Sequence, residues 1–342
     1  MPNASVTSTA PASFAAPSAG REDCLIGHTG FVGGTLTRQA RFDHAFNSAT
    51  IGAAAGRSFG TLVCAAAPGS MFEANRFPER DTARIEALIE SLSAVSAERF
   101  VLISSIAVLE DFAGGDTETT TRFRQDLAYG RNRRALEAFV ERHFDRSLVV
   151  RLPALFASGL KKNFLFDLMN PVPSMLTSER LDALRAALPA PLAEFAAALY
   201  ADAAETGLFV LDRAALDASP RRAALDEAVI AAGASAVGFH HPETTYQFYN
   251  LDRLWTDIGT ALAAGLSHIH LATEPLVAAR IHAALTGRSM PASEARLHRE
   301  DMRTIHAGLW GREGPYLADA AQVLGELEAF HRRETARARR AA

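Results

Sequence analysis

Lysine, cysteine and long apolar runs are all scarce in this chain of 342 residues. Of its 35 basic residues, only Lys161 and Lys162 are lysines. The two cysteines, Cys24 and Cys64, each lie at one end of an apolar, strand-like run, so we expect buried thiols in a reducing, cytoplasmic environment. No apolar run approaches the roughly 18 residues that cross a bilayer, and a net charge of −4 gives no basic excess. The sequence therefore predicts neither a membrane nor a nucleic-acid partner.

The first 20 residues consist mainly of Ala, Ser, Thr and Pro and contain almost no core-forming side chains. They lack the basic start and continuous apolar block of a signal peptide. We therefore predict a disordered tail over residues 1–20.

A glycine-rich turn follows the first apolar strand, in the segment Cys24–Leu36 with the sequence CLIGHTGFVGGTL. Its spacing is G-x-x-G-x-x-G, and a helix follows. Gly27 allows a tight turn, Gly30 allows close approach of a ligand to the backbone, and Gly33 allows the helix to pack on the sheet. A glycine turn between a strand and a helix is typical of a dinucleotide diphosphate site, which uses the free N–H groups of the helix.

Strands and helices then alternate along the chain. Residues 61–68 form an apolar run with small residues at its end, residues 80–95 have apolar positions at helical spacing, and residues 99–103 are again strand-like. This β-α-β alternation predicts an α/β fold with a doubly wound parallel sheet.

Polar groups suited to proton transfer follow the strand at residues 99–103. Ser104 and Ser105 come at its end, and Tyr129 and Arg133 lie four residues apart at the start of a predicted helix, on one face. A phenol must exchange its proton near neutral pH to act as a general acid or base, and an adjacent cation stabilises its phenolate.

These motifs together resemble the extended branch of the short-chain dehydrogenase/reductase superfamily, the NAD(P)-dependent epimerase/dehydratase-like proteins. The resemblance covers residues 24–168 and 245–288, with Y-x-x-x-R in place of the usual Y-x-x-x-K. It implies a Rossmann-type fold in which Ser105 bonds the substrate oxygen, Tyr129 is the general acid/base, and Arg133 holds the cofactor ribose and favours ionisation of the phenol. An arginine supplies a permanent charge, but it cannot relay a proton as lysine can.

The resemblance also implies a set of cofactor-binding residues: Gly27, Thr29, Gly30, Phe31, Val32, Gly33, Asn47, Ser48, Ala65, Ala66, Ala67 and Pro153. Many NAD-binding Rossmann folds have an acidic residue at the end of the second strand, where this chain has Asn47 and Ser48. NADP(H) is therefore favoured over NAD(H), with Arg57 or Arg38 expected near the 2′-phosphate.

The domain organisation follows from the same resemblance. We predict a dinucleotide-binding domain over 21–168 and a smaller, mostly helical substrate lobe over 169–342, in which 245–288 returns to the Rossmann core. Asn163 matches a position that contacts the nucleotide diphosphate in sugar-nucleotide epimerases of the family, and the adjacent Lys162 would suit an anionic group. The pair His268 and His270 lies on one strand face without a third ligand at a recognisable spacing, so no metal is predicted.

The predicted function is hydride transfer at a carbonyl or alcohol carbon of a small polar, nucleotide-sugar-like metabolite. The same residues also suit an epimerase or dehydratase in which the cofactor is oxidised and reduced transiently, and a cofactor-binding protein without turnover is a third alternative. Family members commonly pair through two helices, so the helix after Tyr129 implies a homodimer.

Overall fold

The computed structural model describes residues 21–341, so the tail predicted at 1–20 lies outside the described residues. The strands are β1 Cys24–Ile26, β2 His44–Phe46, β3 Ser58–Cys64, β4 Ser96–Ser105, β5 Ser147–Leu152, β6 Ala154–Phe156, β7 Met175–Leu176, β8 Tyr200–Ala203, β9 Leu208–Leu211, β10 Thr245–Tyr246, β11 Phe248–Asn250, β12 His268–His270 and β13 Leu276–Val277. The helices are α1 Phe31–Gln39, α2 Met71–Arg76, α3 Pro78–Ser93, α4 Ala128–His143, α5 Phe164–Met169, α6 Ser178–Ala187, α7 Ala190–Leu199, α8 Arg213–Asp217, α9 Arg222–Ala231, α10 Leu254–Ala263, α11 Ala278–Thr286 and α12 Ala320–Ala341. Within the described range, no helix is both long enough and apolar enough to span a membrane.

The described chain divides into two compact units. The first comprises residues 21–110, 118–152 and 252–270, and the second comprises 111–117, 153–251 and 271–341. The segment 245–288, which resembles the family, is thus shared between the two units.

The first unit is built on a six-stranded sheet in the order β12-β5-β4-β3-β1-β2. Every neighbouring pair is parallel. Strand β2 lies on one side of β1, and the chain then crosses over to place β3 on the other side of β1. The strand order therefore reverses between β1 and β3. In open parallel sheets, ligands bind at such a reversal, beyond the carboxyl ends of the strands. This sheet with its flanking helices confirms the predicted Rossmann-type fold.

Apolar periodicity accounts for the elements of this sheet. The central strand β3 is buried on both faces after its first residue, as expected when helices cover a parallel sheet. Helix α3 begins at Pro78 and buries Ile85, Leu88 and Leu92 at helical spacing. Both cysteines are free and buried, as predicted. Burial raises the pKa of the Cys24 thiol to about 12 and that of the Cys64 thiol to about 11.

The second unit contains the helices α5 to α9, α11 and α12, together with three small sheets. Strands β6 and β11 pair in parallel, β10 and β13 pair antiparallel, and β7-β9-β8 form an antiparallel sheet. The last of these lies in the lobe that the sequence predicts to be mostly helical. Its strands are two to four residues long, too short for alternation to stand out from the surrounding helical pattern.

Candidate active site

The glycine turn joins β1 to α1 with two glycines that no other residue can replace without a clash. Gly27 has φ +94°, and a Cβ there would lie 2.5 Å from the carbonyl oxygen of Ala65, just beyond β3. A Cβ on Gly33 would lie 2.1 Å from the Gly27 carbonyl oxygen. The nearest atom to a Cβ on Gly30 is 3.4 Å away, so the protein itself tolerates a side chain there. The turn therefore brings the ends of β1 and β3 into contact and leaves space in front of Gly30.

The start of α1 fits a diphosphate. Its N-cap, Gly30, has extended backbone and no side-chain cap, and the first turn of the helix holds no acidic residue. The first N–H groups of an uncapped helix have no intrahelical partner, and they favour an anion. In the same turn, Nδ1 of His28 is buried without a hydrogen-bond partner among the described residues. The N–H groups suit the diphosphate of a nicotinamide dinucleotide, and the His28 nitrogen can add a hydrogen bond in the tautomer that protonates Nδ1.

The residues after β2 form a local turn. The Asn47 side-chain oxygen accepts hydrogen bonds from the N–H groups of Ala49 and Thr50, at 3.0 and 3.2 Å, and Ser48 is exposed. No carboxylate follows the strand. The predicted ribose contacts of Asn47 and Ser48 stay predictions.

Arg57 lies away from the predicted 2′-phosphate position. It precedes β3, at the amino ends of the strands, where its guanidinium meets the Glu22 carboxylate at 3.3 Å and the His44 ring at 2.6 Å. Phosphates bind at the opposite, carboxyl edge of such a sheet, so the prediction for Arg57 is wrong. Arg38 instead folds back on its own helix and donates to the Gly34 carbonyl at 2.8 Å.

Ser105 is the last residue of β4 and begins a 3₁₀ turn, Ile106–Val108. Its hydroxyl oxygen accepts a hydrogen bond from the Ala107 N–H at 3.2 Å, and its own proton has no acceptor among the described residues. A Cβ on Gly130 would lie 2.1 Å from the Ala107 carbonyl oxygen. This close packing fixes the start of α4 against the turn that Ser105 begins, so Ser105 and Tyr129 lie at the same edge of the sheet.

Tyr129 lies in the first turn of α4. Its backbone N–H donates to the Asn75 side-chain oxygen at 3.0 Å, which ties α4 to α2. Its hydroxyl makes no hydrogen bond to any described residue. Two hydroxyl groups, on Ser105 and Tyr129, therefore keep hydrogen-bonding capacity for a ligand at the carboxyl edge.

Arg133 lies against Tyr129, with its guanidinium carbon 3.9 Å from the centre of the tyrosine ring. Its side chain is only 3% exposed. It donates to the Asp81 carboxylate at 2.5 Å, to the Tyr129 carbonyl at 3.3 Å and to the Pro68 carbonyl. Contact with Tyr129 follows the predicted spacing, whereas contact with the cofactor ribose stays a prediction.

A buried polar network beneath this edge is absent from the sequence prediction. Glu137 is fully buried; it accepts from the Ser104 hydroxyl at 2.5 Å and from Arg151 at 3.0 and 2.8 Å. Arg151 in turn lies 3.0 Å from Nε2 of His270, which must be the acceptor because a guanidinium only donates. Glu137 continues the Tyr129–Arg133 face by four residues, and that spacing is the signal that the sequence offered.

The two histidines of β12 bond protein groups. His268 lies 3.0 Å from a Glu141 oxygen, and His270 lies beside Arg151. Each ring is thus accounted for by an ion pair or hydrogen bond within the first unit.

The other predicted site residues divide between the two units: Thr29, Phe31, Val32, Ala66 and Ala67 lie in the first, and Pro153, Lys162 and Asn163 lie in the second. Pro153 immediately precedes β6. Asn163 caps α5, where its side-chain oxygen accepts from the N–H groups of Leu165 and Phe166 and its amide donates to the Leu155 carbonyl at 2.8 Å. Its φ of 108° is the one positive value at a non-glycine position within residues 21–341, and such a conformation costs about 1–3 kcal/mol. The substrate contacts predicted for Asn163 and Lys162 stay predictions.

Comparison with known proteins gives structural matches only, because no family model and no curated protein matches the sequence. The dTDP-4-dehydrorhamnose reductase of Bacillus anthracis, solved with NADP, superposes with a TM-score of 0.54 at 12% identity, over 91% of this chain and 97% of that one. The UDP-N-acetylglucosamine 4-epimerase of Methanobrevibacter ruminantium M1, in complex with UDP-N-acetylmuramic acid, gives 0.56 at 10% identity, over 93% and 99%. MoeE5, in complex with UDP-glucose and NAD, gives 0.51 at 16% identity, over 92% and 99%. The chain thus has the fold of the NAD(P)-dependent sugar-nucleotide reductases and epimerases, which confirms at the level of the fold the resemblance found in its sequence.

Proposed function

We propose that this protein is an NAD(P)-dependent oxidoreductase that transfers a hydride at a carbonyl or alcohol carbon of a nucleotide-sugar-like metabolite. The observation that carries the proposal is the pair of hydroxyl groups on Ser105 and Tyr129, both with unused hydrogen-bonding capacity, at the sheet edge that also holds the uncapped start of α1. The solved structures that share the fold include complexes with NADP and with NAD.

The residues of the first unit divide the chemistry among them. The N–H groups at the start of α1 would hold the cofactor diphosphate, and a bound nicotinamide would supply or accept the hydride. Ser105 would hydrogen-bond the substrate oxygen, and Tyr129 would give that oxygen a proton or take one from it. Asn47 and Ser48 carry no charge to repel a 2′-phosphate, which supports NADP(H) over NAD(H).

A second candidate, cofactor binding without turnover, is favoured by the hydrogen bonds of Arg133. The guanidinium of Arg133 is engaged by Asp81 and by two backbone carbonyl groups, so it offers less to a reacting tyrosine than a lysine would.

A turnover assay with Tyr129→Phe separates these candidates. Keto derivatives of UDP- and dTDP-sugars are incubated with NADPH or NADH, and the absorbance of the reduced nicotinamide is followed. We expect consumption of one cofactor that falls by about 10²-fold or more in Tyr129→Phe, while cofactor affinity stays unchanged. Tyr316→Phe, whose hydroxyl bonds Asp301 in the second unit, is the control and retains activity.

Other outcomes assign the other functions. Conversion of a sugar nucleotide without net cofactor consumption identifies an epimerase or dehydratase. Cofactor binding with no conversion of any keto sugar, or turnover that is equal in Tyr129→Phe and the unmodified protein, contradicts the proposal.

A further inference from the structure

We propose that Asp81 is a positioning residue for Tyr129: it fixes Arg133 against the tyrosine ring and cancels its charge, so that Tyr129 stays a protonated phenol and serves as the proton donor of a carbonyl reduction. This inference rests on the proposed function, and it assigns the direction of the reaction as reduction of a carbonyl group. It explains how an arginine can occupy the position where the family has a lysine.

The geometry of Arg133 is fixed from three sides. Asp81, on α3, holds one terminal nitrogen at 2.5 Å, and the carbonyl groups of Pro68 and Tyr129 receive the other hydrogen bonds. The fourth contact is the Tyr129 ring itself, 3.9 Å from the guanidinium carbon. A flexible side chain with this many partners has one position, so the guanidinium is held beside the ring.

Asp81 is itself held in place. It is 4% exposed, and Nδ2 of Asn132 donates to the same carboxylate oxygen at 2.8 Å. The Asn132 amide also reaches the Thr82 hydroxyl at 3.1 Å. The carboxylate thus joins α3 to two successive residues of α4.

The buried charges beside the Tyr129 ring, on Arg133 and Asp81, balance each other. An isolated guanidinium at this distance in a buried setting would favour the phenolate, because opposite charges attract strongly where water is excluded. The Asp81 carboxylate, in contact with the guanidinium, opposes that effect. Arg124, packed against Gly130, is accompanied by Asp126 at 3.4 Å. Arg131 of α4 and the α2 residues Glu73 and Arg76 are exposed, so solvent screens their charges. The guanidinium that contacts the Tyr129 ring is therefore a buried, paired charge rather than a lone cation.

A protonated phenol suits reduction. The Oη–H bond of Tyr129 would break as its proton moves to the carbonyl oxygen of the substrate, and a bound reduced nicotinamide would supply the hydride to the carbonyl carbon. The products are the alcohol, the oxidised nicotinamide and a phenolate, which takes a proton from water. Oxidation of an alcohol would instead require the phenolate at the outset.

The test measures ionisation of Tyr129 directly. Each variant is titrated by the ultraviolet absorbance of tyrosinate, and the curve of the same variant carrying Tyr129→Phe is subtracted. Asp81→Asn leaves the cation unbalanced, so the Tyr129 signal should appear at a pH lower by about one unit or more. Arg133→Gln leaves the carboxylate unbalanced, so the signal should move to higher pH. The double variant should return close to the unmodified protein.

Opposite shifts distinguish charge balance from a purely structural role. Shifts in the same direction, or none in either variant, would overturn the inference. Arg133→Lys keeps both charges, so its Tyr129 titration curve should match that of the unmodified protein. This variant replaces the neutral variants if one of them does not fold. Glu86→Gln, at an exposed position of α3, is the control and should not shift the curve.

Failure of the proposed function would look different. NADPH and NADH binding is measured on the same samples, and absence of binding refutes the oxidoreductase while the tyrosinate shifts still decide the role of Asp81.

Discussion

At the scale of single residues, the glycines of the first unit show how closely the sequence motif and the geometry agree. The motif predicts that Gly27, Gly30 and Gly33 permit close approach, and the first and third indeed face backbone atoms at 2.1–2.5 Å from a would-be Cβ. Gly30 has space in front of it, as a ligand site requires. Gly130 lies outside the motif, and its contact with Ala107 depends on how α4 packs. Such a long-range contact leaves no local pattern in the sequence.

Gly130→Ala should destabilise the protein, because its methyl group would overlap the Ala107 carbonyl. We expect the free energy of unfolding to fall by about 1–3 kcal/mol, a typical cost of overpacking, in denaturant titrations. Gly325→Ala is the matched control, since it also lies in a helix, with no atom within 4 Å of its would-be Cβ. The control should gain about 0.5–1 kcal/mol from the loss of glycine flexibility. Equal stability of the two variants would contradict the close packing of α4.

Helix α4 is the element that organises the candidate site. One face of this helix carries four side chains at four-residue spacing. Tyr129 lies at the predicted ligand edge with Arg133 against its ring, and Arg133 bonds α3. Glu137 bonds Arg151 of β5, and Glu141 bonds His268 of β12. The sequence indicates the first two members, because Y-x-x-x-R is a local motif. The spacing also places Glu137 and Glu141 on this face, but it does not indicate their partners, since Arg151 and His268 come from distant segments that only the parallel sheet brings beside the helix.

Glu141 should make stability depend on pH in acid. The hydrogen bond with His268 lowers the pKa of Glu141, and the Arg134 ion pair lowers it further. Burial acts in the opposite direction, and the net result is a fall from 4.5 to about 2. A carboxyl group whose pKa is lowered by folding stabilises the folded state at any pH above its ordinary pKa. This contribution is lost as pH falls from about 4.5 to 2. Glu141→Gln should therefore unfold about 1 kcal/mol more easily at neutral pH, and the difference should vanish near pH 2.

Unfolding curves recorded across this pH range check the prediction. Glu86→Gln, which alters an exposed carboxylate, should track the unmodified protein throughout. A deficit in Glu141→Gln that persists unchanged near pH 2 would show that packing, and not charge, explains its effect.

At the scale of the whole molecule, the sequence predicts the parallel sheet better than it predicts the second unit. Buried strands such as β3 and amphipathic helices such as α3 carry their own periodicity, so the alternation could be followed along the chain. The sheet β7-β9-β8 depends on pairing between very short strands in an Ala- and Leu-rich stretch. The structure of this stretch is correspondingly hard to predict from sequence.

The central claim, that the glycine turn binds a nicotinamide dinucleotide, is tested most directly by fluorescence titration of the protein with NADPH and NADH. Gly30→Asp places a carboxylate where the diphosphate should lie, at a glycine whose would-be Cβ has no neighbour closer than 3.4 Å. Gly325→Asp makes the same change at an exposed site in α12. We predict saturable binding, tighter for NADPH, that weakens by at least about tenfold, or ~1.4 kcal/mol, in Gly30→Asp only. No binding of either nucleotide, or equal binding by Gly30→Asp, would contradict the account.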